Sequence, residues 1–131
     1  MKTRTAFATV ALLLFAAVAA AHTHLKGSVP AEGSVITASP ANIVLTFSGP
    51  TRVTALTVQK EGEAVQKLSP LPSALAAQVT VPSPKLTPGK YVLNWRVAGA
   101  DSHVMAGKLH FLFDPAATPT AGKAPARHEQ H

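Results

Sequence analysis

Tyr91-Val92-Leu93-Asn94-Trp95-Arg96-Val97 is the stretch on which the fold turns. In an extended chain Tyr91, Leu93, Trp95 and Val97 share one face, and Val92, Asn94 and Arg96 share the other. That period of two, carried by aromatic and β-branched residues, reads as a half-buried strand. Trp95 is its expected core anchor, because an indole buries more apolar area than any other side chain here.

The same pattern recurs outward in both directions. Towards the C-terminus, Leu109, Phe111 and Phe113 oppose Lys108, His110 and Leu112. Towards the N-terminus, Leu25, Gly27 and Val29 alternate with Lys26 and Ser28. Ile43, Leu45 and Phe47 form a further face, ended by Gly49-Pro50. Val53 to Val58 is another run, closing at Lys60-Glu61-Gly62-Glu63. A weaker strand spans Ala64 to Leu68, and a short one is Val79-Thr80-Val81. Turn chemistry lies between them, at Pro30-Ala31-Glu32-Gly33-Ser34 and around Pro70, Pro72, Pro82, Pro84 and Pro88. Apart from an ambiguous turn around Ser73–Ala77, nothing after residue 21 repeats every 3.6 residues. About seven short strands predict an all-β domain, an antiparallel β-sandwich or barrel.

The chain opens with a leader. Lys2 and Arg4 precede an apolar run through Val10-Ala11-Leu12-Leu13-Leu14-Phe15, and Ala19 and Ala21 fit an A-x-A cleavage rule. Residues 1–21 are therefore expected to be a signal peptide, too short in its apolar run to span a membrane as a helix. From Pro115 onward Ala, Pro and Thr dominate without periodicity, so 115–131 reads as a disordered tail. The remaining domain, 22–114, is long enough to bury one core.

Composition excludes several functions. Without cysteine there are no disulfides, thiol chemistry or thiolate metal sites. Of 12 Lys and Arg, two leave with the leader, so ten face six acidic residues in the mature chain. They are scattered singly, and nucleic-acid binding would want a clustered basic face.

Three residues stand apart from the scaffold. Cleavage after Ala21 makes His22 the amino terminus, where one residue offers both a free amine and an imidazole. Asp101 and His103, two apart, would project to one side of an extended chain. Amine, imidazoles and carboxylate make a nitrogen and oxygen set that favours Cu(II). The terminal amine loses its proton at modest cost because its pKa is only about 8. Soft ligands for Cu(I) are scarce, with Met1 in the leader and Met105 alone. His24 is an accessory or a rival: a third-position histidine can chelate Cu(II) through deprotonated backbone amides, which a first strand starting at His24 would instead need for pairing. His110 reads as a surface histidine, and His128 and His131 as residues of a solvated tail.

These features together resemble the CopC family of periplasmic copper-resistance proteins, including its YobA-like branch. The resemblance covers residues 22–114. It rests on His22, Ser28-Val29-Pro30-Ala31-Glu32-Gly33-Ser34, Pro40, Ile43-Val44-Leu45-Thr46-Phe47-Ser48, Leu86-Thr87-Pro88-Gly89-Lys90-Tyr91, Trp95-Arg96-Val97, Asp101-Ser102-His103, Gly107 and Phe111. It implies an Ig-like or cupredoxin-like Greek-key β-sandwich binding one Cu(II) through His22, Asp101 and His103. It also implies a non-enzymatic periplasmic role in copper sequestration or delivery, beside a CopD-like inner-membrane copper transporter. A monomer that neither spans the membrane after cleavage nor binds nucleic acid is expected. Many members have Gly where this chain has Ser102. Some carry a methionine-rich Cu(I) segment, whereas Ala64–Gln78 here holds neither Met nor His. Two other functions are weighed: a copper-dependent oxidative enzyme of the kind that uses a terminal histidine on glycans, and a non-metal interaction domain. The first lacks a flat aromatic binding face, and a carboxylate ligand would occupy a position that oxygen activation needs open.

Overall fold

In a computed structural model of the chain, residues 23–120 and 122 are described. The leader, His22 and most of the C-terminal tail lie outside the described residues. Seven strands follow in order: β1 (Leu25–Val29), β2 (Ser34–Ile36), β3 (Asn42–Lys60), β4 (Gln66–Lys67), β5 (Ala76–Pro82), β6 (Gly89–Gly99) and β7 (Val104–Phe113). No helix occurs among the described residues, and the all-β expectation holds.

The architecture hangs on β3, which is 19 residues long. The sequence suggests two strands here, split at Gly49-Pro50, but the chain passes through that point and changes partners. Residues 42–46 pair with β5, and the register slips between Thr46 and Thr51, where Thr51 meets Ala76. The extra residues of this bulge bend the strand, as bulges do. Gly49 and Pro50 are therefore a corner and not a stop. Before the corner β3 pairs with β1; after it, Thr51–Lys60 pairs with β6. Because β5 occupies one edge of β3 up to Thr51, β1 and β6 must share the other edge, end to end. From β6 the sheet continues to β7 and β2.

One pairing departs from the antiparallel expectation. β2 runs parallel to β7, with Ser34 opposite Phe111 and Ile36 opposite Phe113. Its first residue, Ser34, is the last of the segment that reads as turn chemistry.

The core follows the alternation closely. Ile43, Leu45 and Phe47 are buried, as are Val53, Leu56, Val58, Tyr91, Leu93, Val97, Leu109, Phe111 and Phe113. Tyr91 stacks on Phe111 with centroids 5.2 Å apart, and Trp95 meets Phe47 edge-on at 5.3 Å. Trp95 is only partly buried and packs at the border of the core. Its ring lies against Gly107, where any Cβ would collide with the indole. In β1 the expected face fails: the register shifts between Leu25 and Gly27, and Val29 is 55% exposed.

After Phe113 the chain stays on the domain for several residues. The Asp114 amide donates to Ile36 O, and Thr120 bridges to Val35 through backbone and side chain.

Candidate metal centre

The corner of β3 brings His24 and the Asp101–His103 pair to one end of the domain. Just before it, the Ser48 amide donates to His24 O at 2.8 Å, and the His24 amide donates to Ser48 Oγ at 2.9 Å. Thr23 lies over Gly49, where a Cβ would come 3.3 Å from Thr23 Oγ1. Just after the corner, Thr51 pairs with Gly99, the last residue of β6. Thr51 is fully buried, and its hydroxyl donates to Ala76 O, which locks the strand there from the opposite edge. His24 and the root of the β6–β7 hairpin thus meet β3 at Ser48 and Thr51, three residues apart along one edge.

The β6–β7 hairpin carries Asp101 and His103. The Ser102 amide donates to Gly99 O, and the Gly99 amide donates to His103 O. Those two bonds define a three-residue loop, Ala100-Asp101-Ser102, whose third position sits in the left-handed region with φ 67°. This corrects the extended geometry expected for the pair. Asp101 and His103 are brought together by a tight turn instead.

Within the turn, Asp101 Oδ1 accepts from the His103 amide at 3.1 Å, and Asp101 Oδ2 lies 2.6 Å from His103 Nδ1. The side-chain bond to His103 is the main cause holding the Asp101 carboxyl below its ordinary value, helped by the backbone bond. The same bond lifts the His103 imidazole above 6.5. Both side chains are well exposed, at 65% and 83%. Gly99 makes room for this: a Cβ there would approach Asp101 Oδ1 to 3.0 Å and Met105 Cε to 3.9 Å.

Chemically the pair offers one imidazole and one carboxylate, two donor types that metal ions accept. A carboxylate on Nδ1 fixes the ring and leaves Nε2 outward, the arrangement that orients metal-binding histidines. Among the described residues no cluster of three or more His, Cys, Asp and Glu side chains forms, and His22 lies outside them. His24 has its amide committed to Ser48, which removes a donor that backbone chelation at the terminus would require. The structural roles of Ser48, Gly49 and Gly99 were not evident from sequence. The small-residue run Ala98-Gly99-Ala100 was the available signal, and it reads there as loop when its first two residues end a strand.

Comparisons with known proteins identify the family of the chain. The model of the CopC domain matches residues 25–114. Copper resistance protein C of Pseudomonas syringae pv. tomato is 34% identical over 125 residues, covering 82% of this chain and 94% of that protein. Protein YobA of Escherichia coli (strain K12) is 31% identical over 98 residues, 71% of this chain and 77% of its own. Among solved structures, CopC from Methylosinus trichosporium OB3b superposes with a TM-score of 0.61 at 24% identity, over 74% of this chain and 98% of that one. PcoC from Escherichia coli, a methionine-rich copper resistance protein, gives 0.54 at 26%, over 72% and 100%. The chain belongs to the CopC family.

Proposed function

We propose that this CopC-family chain is a non-catalytic Cu(II)-binding protein of the periplasm, serving copper resistance by sequestering the ion or presenting it to a CopD-like membrane transporter. One Cu(II) is the cargo. Its ligands are the amine and imidazole of His22, the His103 ring and the Asp101 carboxylate, with His24 as an accessory.

The observation that carries this reading is the shared edge of β3. β1 begins and β6 ends on either side of the Ser48–Thr51 corner, so His24 and the Asp101–His103 turn lie at one end of the sandwich. His22 is the residue preceding Thr23, which lies on Gly49. The donor set fits the ion: imidazole nitrogen suits Cu(II), and an ordinary amine and a carboxylate complete a tetragonal set without thiolate. Asp101 Oδ2 holds His103 Nδ1; for the carboxylate and the ring to bind one ion that bond opens, because an ion on Nε2 would lie across the ring from Oδ2. Binding requires the amine and the His103 ring to shed protons. Cleavage after Ala21 is then a step in building the centre, because the chelating amine arises with it.

Titration of the leader-free chain against a competing Cu(II) chelator tests this. His103→Ala, or a chain that keeps Ala21 ahead of His22, should each weaken Cu(II) by at least a hundredfold. Affinity unchanged by either alteration removes the reading.

A further inference from the structure

The side of β6 turned away from the core carries charge without counter-charge. Tyr91, Leu93 and Val97 of β6 are buried, as are Leu109, Phe111 and Phe113 of β7. Alternation therefore sends Val92, Asn94, Arg96, Lys108 and Leu112 to the opposite side of the sheet. Arg96 pairs with Ala106, and Asn94 with Lys108. The two cations are thus diagonal neighbours across the β6–β7 ladder, about 7–8 Å apart at the backbone. Both are exposed. Among the described residues neither has a carboxylate partner: the ion pairs are Lys60–Glu63, His103–Asp101 and His110–Glu32.

Small residues make room beside them. Arg96 stands between Ala55 of β3 and Ala106 of β7. A hollow of about 400 Å³ opens there, lined also by Thr57, Asn94 and Lys108. Among the described residues no Asp or Glu lines it. A guanidinium fork, an ammonium, an amide and a hydroxyl therefore share one hollow, and all four can donate to a carboxylate. Four residues back along β6, ~13 Å away, half-buried Val92 joins Val35 and Leu112 in a second groove of about 570 Å³. Lys90 and Glu61 also line that groove.

We propose that this face docks an acidic segment of a partner protein. Its carboxylates enter the hollow at Arg96 and Lys108, and an apolar side chain about four residues along fills the groove at Val92 and Leu112. Charge complementarity selects that occupant. Two neighbouring cations with no acid beside them repel one another, and a bound carboxylate relieves the repulsion while sealing the hollow. An anionic bilayer fits less well, because such surfaces are held by clusters of about 4–8 basic residues, and this hollow offers Arg96 and Lys108. The docking face is separate from the Asp101–His103 turn and does not depend on the copper reading.

Amide resonances of the leader-free chain, followed by NMR while the peptide acetyl-Asp-Glu-Ser-Thr-Ser-Leu-Val-amide is added to about 1 mM, test the proposal. Shifts should cluster at Asn94, Arg96, Ala106 and Lys108, with a second group at Val92 and Leu112. Raising NaCl from about 0.05 M to about 0.5 M should weaken binding about fivefold or more. Arg96→Glu/Lys108→Glu should weaken it about tenfold or more, and a peptide with Lys-Lys in place of Asp-Glu should move no resonance. Both altered side chains lie outside the core, so an unchanged melting temperature keeps the comparison valid, and the salt series needs no variant. A face that stays unshifted at about 1 mM peptide overturns the proposal, as does binding that survives both salt and charge reversal. Sedimentation with phosphatidylglycerol–phosphatidylcholine vesicles is the remaining arm: capture that Arg96→Glu/Lys108→Glu abolishes would assign the face to a lipid surface and overturn the proposal too.

Discussion

Ser102→Gly is the sharpest test of the turn that joins Asp101 to His103. Ser102 sits at φ 67° in the third position of the β6–β7 loop. The left-handed conformation costs an ordinary L-residue roughly 1–2 kcal/mol. Glycine escapes most of that, but its looser unfolded chain takes back about 0.4–1 kcal/mol. The net expectation is a gain of about 1 kcal/mol, which for a domain of this size raises Tm by about 4–8 °C. A β-branched residue tolerates the same backbone worst, so Ser102→Val should lose stability. Paired thermal and urea melts of the three proteins supply the measurement. The argument predicts an order, Gly above Ser above Val, with equal m-values. If glycine lowers stability, or valine leaves it unchanged, the turn is not the one described. The same order should appear in Cu(II) affinity, since a turn already in the binding geometry loses less on closing around an ion.

Further expectations concern the pair and the core. Asp101 raises the His103 pKa, so the stabilising contribution of their bond is complete below the ordinary 6.5 and fades as pH rises through the folded value above it. The Asp101 side of the same bond fades as pH falls through a value below 3.8. Asp101→Asn should therefore lower the His103 titration midpoint in an NMR titration, and a midpoint that stays put or rises contradicts the bond. Cu(II) affinity should climb with pH through the same midpoint, because the ion competes with protons for His103; a flat profile there would exclude the ring as a ligand. Gly107→Val should drive the indole of Trp95 off its seat beside Phe47, at roughly 1–3 kcal/mol for overpacking. Its signature is a red-shifted tryptophan emission with a lowered melting temperature, and neither change would appear if the ring were free to move.

What could be read from the chain alone is what local periodicity encodes. Tyr91, Leu93 and Val97 are buried, as are Leu109, Phe111 and Phe113, because a period of two leaves each strand only one way to face a core. The corner at Gly49-Pro50 could not be read that way. Locally those residues look like a terminator, and only pairing with β5 and β6, more than 20 residues downstream, carries β3 past them. β2 is missed for a related reason: three residues are too few for a pattern, and its partner lies 77 positions away, from Ser34 to Phe111. At the candidate centre, residue types and spacing single out Asp101 and His103, and the small residues before them suggest a loop, but the extended backbone considered for the pair gives way to a tight turn. An Asp-x-His spacing fits an extended strand and a tight turn equally, and the distinction comes from the Gly99 hydrogen bonds.

The end-to-end meeting of β1 and β6 also sets an order of events. His24 and Gly99 are 75 positions apart in the chain and become neighbours only when both have been zipped onto β3. Closing so long a loop carries an entropic penalty that local hairpins avoid. That penalty favours completing the corner late, after the local β6–β7 hairpin. An ion that needs groups from both sides of it has no grip on a half-finished chain. Capture would report a finished fold and, by drawing the equilibrium towards that state, would act as its seal.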